Sequence, residues 1–580
     1  MLARAHDYLR PLLLVTSSCL LVACSYSDDS SGIPGSARYG EGTPTSSTGS
    51  SGSTSTGSKG SGGSTTNSGP PQVVPDGGLV GQVPWAPDAG TGAPPAPTQE
   101  NGAAACGTCH ATIYQQWRQA MHSSSMVSPV VIAQTNQVIA GPLAKVPNPD
   151  YTKFCVNCHS PTVAAVATTD GLPQADPTQW RDGISCTTCH QFNGTSELSG
   201  GGFTAQMQQG YNTGNIYFGN LATPVGNRAH TSQTGNAFTN PNVLCKNCHE
   251  VWVDLDHDGI EEKGIDLVLQ ETWDEYQDYK NFGGQETCVS CHMPAIPGLT
   301  RVADGAQIPN DQYTVAPDRV VHDHSFVGSD HLLDNPTQTA AQLAARTKLF
   351  QNAAAIQFDR NSFGGDGNGE VGVDVLIANI GVGHNLPTGF AFARQMWLEI
   401  TSVNAAGTVV DSSGLLADPT DDLCDGATLD DNFFNPMPQF FQNCRFIDGE
   451  LTTFQQKLVS VVDFEQQNRF LVQDTITQDV QDNFGFETWL QYLSGGVVAR
   501  QRFNEAGNLA ALLPFETREF HYDLQDPGQG GKMTARLLYR SLPPYFLRAL
   551  ASKQAATEES LTPLIANLDI LVLATDQLDF

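Results

Sequence analysis

Cys-x-x-Cys-His occurs five times in this chain: Cys106-Gly-Thr-Cys109-His110, Cys155-Val-Asn-Cys158-His159, Cys186-Thr-Thr-Cys189-His190, Cys245-Lys-Asn-Cys248-His249 and Cys288-Val-Ser-Cys291-His292. Ten of the 14 cysteines are used this way. Chance would give on the order of 0.01 such matches at this composition, so the repetition reports chemistry. Two thiols at this spacing can add across the two vinyl groups of one porphyrin, and the His that follows reaches the iron from the proximal side. Structural zinc takes four ligands, usually two Cys pairs; five pairs leave one over, and zinc does not require a His after every second Cys. Disulfides leave the histidines unexplained. The expectation is five covalently bound haem c groups, with those ten cysteines as attachment points and His110, His159, His190, His249 and His292 as proximal ligands.

Each iron then needs a sixth ligand or an open face for substrate. Setting aside His6 and the proximal five, eight histidines remain: His122, His230, His257, His322, His324, His331, His384 and His521. That is enough for a pair of imidazoles at every iron. Met121 and Met126 compete as axial donors that would raise the potential. No Cys-x-x-Cys-Lys occurs, which removes the lysine-ligated haem of some nitrite reductases.

These groups need elements to hold them. The motifs lie within residues 106–292, roughly one per 40 residues, too little chain for separate haem domains. The porphyrins must therefore pack on one another and serve as the core, close enough for direct electron transfer. From about Gln357 the pattern turns to strands. Apolar residues alternate over Val371–Asn379 and Met396–Val403, and Asn404 to Gly407 turns the chain into Thr408-Val-Val. Val497–Phe503 and Phe515–Leu524 read similarly, and Pro544–Ser552 as a helix. The fold class expected is mixed: a haem-packed, mostly helical and irregular module, 106–350, followed by a β-rich domain, 351–580, built as an antiparallel β-sandwich.

Local patterns around the motifs resemble the multihaem c-type cytochromes related to the nitrifier tetrahaem cytochrome and hydroxylamine oxidoreductase. Ile113-Tyr114-Gln-Gln-Trp117-Arg-Gln-Ala-Met-His122 resembles that family's helix ending in a distal His. Asp182-Gly183-Ile184-Ser185 before the third motif, Asn227-Arg228-Ala229-His230-Thr231, and Glu271-Thr272-Trp273-Asp-Glu275-Tyr276 ahead of Cys288 to Pro294 are similar. So are His324-Ser325-Phe326-Val-Gly328, Gly383-His384-Asn385-Leu386-Pro387-Thr388-Gly389 and, weakly, Ala535-Arg536-Leu-Leu-Tyr539-Arg540. The resemblance implies distal ligation by His122, His230, His324 and His384, with His384 reaching a haem from a loop of the C-terminal domain. The fifth distal ligand is drawn from His322, His331 and His257, of which His322 is favoured. Some family members leave one haem five-coordinate, and that alternative stays open. His521, in Phe520-His521-Tyr522, reads as structural.

The N-terminus reads as an export signal. Arg4 and Arg10 precede a short apolar run, Pro11 to Ala23, too short to span a membrane. Leu21-Val22-Ala23-Cys24 resembles the bacterial lipobox, which implies a signal peptide over 1–23 and lipid on Cys24; an ordinary signal peptide containing a Cys is the alternative. Ser25 in place of Asp is the pattern sorted to the outer membrane in that family. Residues 24–105 are dominated by Ser, Thr, Gly, Pro and Ala, too few large apolar residues to offset the entropy of ordering. They read as a disordered tether of roughly 80 residues with an r.m.s. span of about 50 Å, a leash or a plain spacer.

Two constellations remain. Cys424 and Cys444 are the unassigned mature pair. Export favours a disulfide between them, closing a loop of about 20 residues and contributing about 3 kcal/mol; two free thiols are the alternative. Asp254-Leu-Asp256-His-Asp258-Gly259 has the alternating carboxylates of a calcium loop, but Ile265 stands where the closing Glu belongs, and a solvated acidic loop fits equally well.

Length and composition set the bounds. The chain has 580 residues, 39% hydrophobic and 15% charged, with Lys+Arg 29 against Asp+Glu 60 and a formal charge of −31. That excludes nucleic acid as a partner, since phosphate binding needs clustered basic residues, and favours a basic redox protein. Beyond the N-terminus no apolar run is long enough to span a membrane as a helix. The function expected is electron transfer by an exported, lipid-anchored outer-membrane protein, on the periplasmic or the cell-surface side, with redox proteins as partners. A carrier is expected ahead of an enzyme, and an enzyme would be an oxidoreductase. The alternative is an oxidoreductase of a small nitrogen or sulfur compound at an open haem, and a filament subunit is a third reading. Donor, acceptor, potentials, haem pairing and oligomeric state are not legible in the residues.

Overall fold

Short helices on irregular backbone make up the first part of the chain, and open sheets the second. The computed structural model describes residues 102–133 except 127, 156–162, 182–192, 216–224, 229–253 except 239, 267–305, 319–334, 340–365, 369–423, 448–460 except 456, 498–501, 511–553 and 560–580. All belong to one compact unit, residues 67–580. The signal and most of the tether with Cys24, Cys155, His257 and the 254–259 loop, and Cys424 and Cys444 lie outside the described residues.

Helix α1 (Gly102–Gly107) runs into the first motif and α2 (Ala111–Gln119) leaves it. The stretch read as tether thus ends in helix, started by the alanines at 103–105. Helices α3 (Cys186–His190), α4 (Pro241–His249) and α6 (Cys288–His292) each end on a motif; α5 (Thr272–Asn281) stands between the last two and α7 (Ala340–Gln351) leads to the sheets. One helical turn explains the motif: Cys at i, Cys at i+3 and His at i+4 share a face. The turn is also started locally. At α6, Ser290 N–H donates to Thr287 Oγ1 at 3.0 Å and Thr287 N–H to Ser290 Oγ at 2.7 Å, a capping box. At α5 the Glu250 carboxylate accepts from the N–H groups of Trp273 (3.1 Å) and Asp274 (3.3 Å), an anion at the positive helix end.

Small ladders punctuate this region. Strands β1 (Ile216–Gly219) and β2 (Thr231–Thr234) pair parallel, and β3 (Val251–Val253) and β4 (Leu267–Gln270) antiparallel.

In the C-terminal part, β5 (Ala354–Gly365), β6 (Glu370–Asn379) and β11 (Thr517–Gln525) form an antiparallel sheet in the order β11-β6-β5. A second antiparallel sheet has the order β13-β12-β7-β8, from β7 (Gln395–Val403), β8 (Val409–Ser413), β12 (Lys532–Arg540) and β13 (Leu571–Asp579). Alternate residues of both enter one core: Val373, Val375 and Ile377, Met396, Leu398 and Ile400, Tyr522 and Leu524, Met533, Ala535 and Leu537. Trp397 and Leu538 face the other way, into a cluster with Leu423, so β7 is buried on both sides. Both sheets are open and no barrel closes among the described residues.

Strands and helix α8 (Pro544–Lys553) lie where alternation and apolar periodicity predict them. Of the stretch expected as a strand over 497–503, the described residues form β10 (Val498–Gln501), which pairs with β9 (Lys457–Ser460) rather than with either large sheet. β13 was not anticipated, although Leu571, Leu573 and Leu578 are buried along it. Among the described residues no helix is long and apolar enough to cross a membrane.

Candidate metal centres

The motif helices line one cavity of about 2090 Å³, well above the roughly 300–1,000 Å³ of a single ligand pocket. All five proximal histidines line it. Each has its Nδ1 engaged: His110 with Val302 O (2.9 Å), His159 with Ser125 O (3.1 Å), His190 with Phe218 O (2.8 Å) and His292 with Val327 O (2.8 Å). The Gln270 amide nitrogen lies 3.0 Å from Nδ1 of His249, and the amide turned over presents its oxygen there to accept the Nδ1 proton. Holding Nδ1 in this way fixes the tautomer and leaves Nε2 for a metal.

Four of the five face another imidazole. The ring centres of His110 and His230 are 6.3 Å apart, His122 and His249 6.4 Å, His190 and His324 6.5 Å, and His292 and His384 6.4 Å. A metal–nitrogen bond of about 2.0 Å, with about 1.2 Å from nitrogen to ring centre, on each side puts centres about 6.4 Å apart. The separations are those of imidazoles on opposite sides of one metal ion. The residues therefore fit iron porphyrin. Burial pushes His122 down to about 3 and His249, His324 and His384 down to about 4, with repulsion from neighbouring imidazoles adding to it. The rings are neutral at ordinary pH and keep a lone pair for the metal.

The remaining candidates fall elsewhere. His159 faces no imidazole among the described residues. His322 lines the cavity with Nδ1 2.7 Å from Met293 O, but is not brought into a pair. His331 has Nε2 3.1 Å from Asn567 O and Nδ1 3.7 Å from Asp569, which Arg346 also binds. His521 is exposed between Asp374 and Asp523. Met121 lines the cavity; Met126 is buried, 1% exposed.

The sites, numbered in motif order, adjoin one another. The sulfurs of Cys106 and Cys186 lie against each other, as do those of Cys245 and Cys288 and those of Cys158 and Cys248. Site 1 thus meets site 3, and site 4 meets both 5 and 2. Phe238 stacks on His190 at 5.3 Å and packs with Phe192 against Cys158 and Cys248.

The distal histidines are carried by separate segments. His122 follows α2, where Trp117 Nε1–H donates to Ile184 O at 2.9 Å. His384 sits between β6 and β7 on a loop pinned at both ends: Leu386 and Leu512 exchange backbone hydrogen bonds of 2.9 and 2.8 Å, and Asn379 Nδ2–H donates to His384 O at 3.1 Å. Buried Glu275 of α5 accepts from Asn385 N–H at 3.3 Å and from the Thr388 hydroxyl. Sequence reasoning missed Gln270, and Glu275 in this role. Three of the carbonyl partners, those of Val302, Phe218 and Ser125, carry no side-chain signature at all.

Residues 105–191, which hold the first three motifs, match the family described as cytochrome c554 and c-prime. No curated protein matches the chain. Among solved structures, a penta-heme cytochrome c552 from Thermochromatium tepidum is similar over 84% of this chain and 99% of its own, at 19% identity and a TM-score of 0.46. The motifs with the family match define the class: a multihaem c-type cytochrome that binds haem c covalently. Electron transfer is the general activity of that class.

Proposed function

We propose that the chain is a five-haem electron carrier of the cell envelope, with axial ligation by two imidazoles at sites 1, 3, 4 and 5. The observation that carries this is the set of four imidazole pairs at 6.3–6.5 Å. Each haem iron supplies one-electron chemistry, cycling between ferrous and ferric. The chain holds each attachment turn, fixes Nδ1 of every proximal ring and closes the opposite face with His230, His324, His122 or His384, so little moves when charge changes. The thiol contacts order the sites as 1–3 and 2–4–5, and the apolar walls keep water from them. The two sheets, read as a sandwich over their common core, brace the His384 loop. Local likeness around the distal histidines favours kinship with hydroxylamine oxidoreductase. Attachment through Cys24, by a leash with a span of about 50 Å, would keep the module near its partners, and the net charge of −31 suits a basic redox protein.

A second reading attaches to site 2. His159 is held by Ser125 but faces no imidazole among the described residues, and an iron open there would bind a small nitrogen or sulfur compound. His322, the residue expected as the fifth distal ligand, is held at Met293 O and does not face His159. Haem quantification with electron paramagnetic resonance tests both: the expected result is five haems with at least four low-spin irons. Four or fewer haems in mature protein would reject one motif, and a high-spin fifth iron that binds nitrite or sulfite would favour the enzyme. Cys24→Ala should release a soluble, haem-loaded protein. Recovery of the wild type only in the inner membrane would defeat the outer-membrane placement.

A further inference from the structure

We propose that Phe326 is a positioning residue that holds the His122 imidazole crossed to His249 and so makes site 4 electronically different from the other paired sites. The proposal rests on the axial ligation inferred above. Segment 322–328 is a hub. His324 faces His190 of site 3, and the Val327 carbonyl accepts from His292 of site 5. Between them the Phe326 ring centre lies 4.4 Å from His122 at 63° and 6.0 Å from His324 at 87°. The Phe326 backbone has φ 46°, a left-handed conformation that bulky L-residues rarely adopt. Costly backbone is kept here to place this ring.

His122 depends on that contact more than its counterparts do. His324 donates its Nδ1 proton to His322 O at 2.8 Å and His384 to Asn385 O at 2.8 Å, and His230 has Ser232 Oγ at 3.3 Å. Among the described residues the His122 ring makes no hydrogen bond, and the Phe326 ring packs against it at 4.4 Å. It is also the ring that crosses its partner. The His122–His249 planes meet at 61°, against 33°, 24° and 14° for the other pairs. Phe326 packs against His122 in this crossed position.

The orientation has a direct signature. Near-parallel imidazoles split the two iron dπ orbitals and give a rhombic ferric signal; crossed imidazoles leave them nearly degenerate and give a strongly anisotropic one. Fully haem-loaded wild type should show one strongly anisotropic low-spin signal beside rhombic ones. Phe326→Gly removes the ring and relieves the left-handed backbone, so folding is not the obstacle, and it should move that signal into the rhombic range while sites 1, 3 and 5 stay as they are. Phe326→Tyr keeps the ring and should keep the signal. An unchanged anisotropic signal in Phe326→Gly overturns the proposal. So does a wild type without one: if the site 4 iron is then high-spin, ligation by His122 fails too, whereas if it is low-spin and rhombic, only the orientation argument fails.

Discussion

Replacing Glu275 by alanine should loosen His384 from site 5 without touching either ligand. Glu275 is 3% exposed and its carboxylate accepts from Asn385 N–H at 3.3 Å and from the Thr388 hydroxyl. Removing an acceptor and leaving a buried donor unsatisfied costs about 1–3 kcal/mol. The Asn385 bond is long and falls at the low end, so the two together favour the closed loop by about 3–4 kcal/mol. The Asn379 tie and the Leu386–Leu512 pair remain, and part of the loss is recovered by water entering the gap. A net loss of about 3 kcal/mol raises the open-loop population about 100-fold. Carbon monoxide reports this, because it binds ferrous haem only when the sixth ligand leaves. In stopped flow, one haem per chain should bind it about 100-fold faster in Glu275→Ala, while Glu275→Gln, which keeps an oxygen acceptor, stays near wild type. His384→Ala sets the ceiling, one fast haem and one new high-spin iron. If His384→Ala opens one site and Glu275→Ala leaves the kinetics within about threefold of wild type, the loop is not held by this carboxylate.

Three further outcomes follow from packing and charge. A Cβ on Gly305 would lie 2.1 Å from Thr108 O, so Gly305→Ala should displace the strap that brings Val302 O to His110 and perturb the spectrum of site 1 alone; disturbance spread over all sites would refute this. Leu398, fully buried in the shared core, should cost about 2–5 kcal/mol on truncation to Ala, measured by thermal or denaturant unfolding. The Asp374 hydrogen bond, with Asp523 nearby, raises His521 above its usual value. A folded value above the unfolded one adds stability that is full below about pH 6.5 and is lost as pH rises through the folded value. Asp374→Asn should therefore lower the melting temperature slightly near pH 5 and hardly at all near pH 9, the side chain being 59% exposed; a larger loss at high pH would reverse the sign.

The attachment chemistry is written in the sequence because it is local. Cys, Cys and His at i, i+3 and i+4 share one helical turn, so no tertiary knowledge is needed to read where a porphyrin is bound. The same holds for the strands at 370–379 and 517–525, whose alternation follows their burial, and for the helix at 544–553, whereas the strand at 395–403 is buried on both faces. Only the tertiary structure decides which imidazole faces which. His110 meets His230 and His122 meets His249 because separate segments converge on one cavity, and no spacing along the chain encodes that meeting. Likeness to known segments points to His122, His230, His324 and His384 as distal residues but assigns none of them a partner. The Nδ1 acceptors are mostly backbone carbonyls, which every residue has, and Phe326 matters through a left-handed φ and two ring contacts that its side-chain type does not announce. Covalent attachment depends on neighbours in sequence; orientation, burial and the crossing of ligand planes depend on neighbours in space.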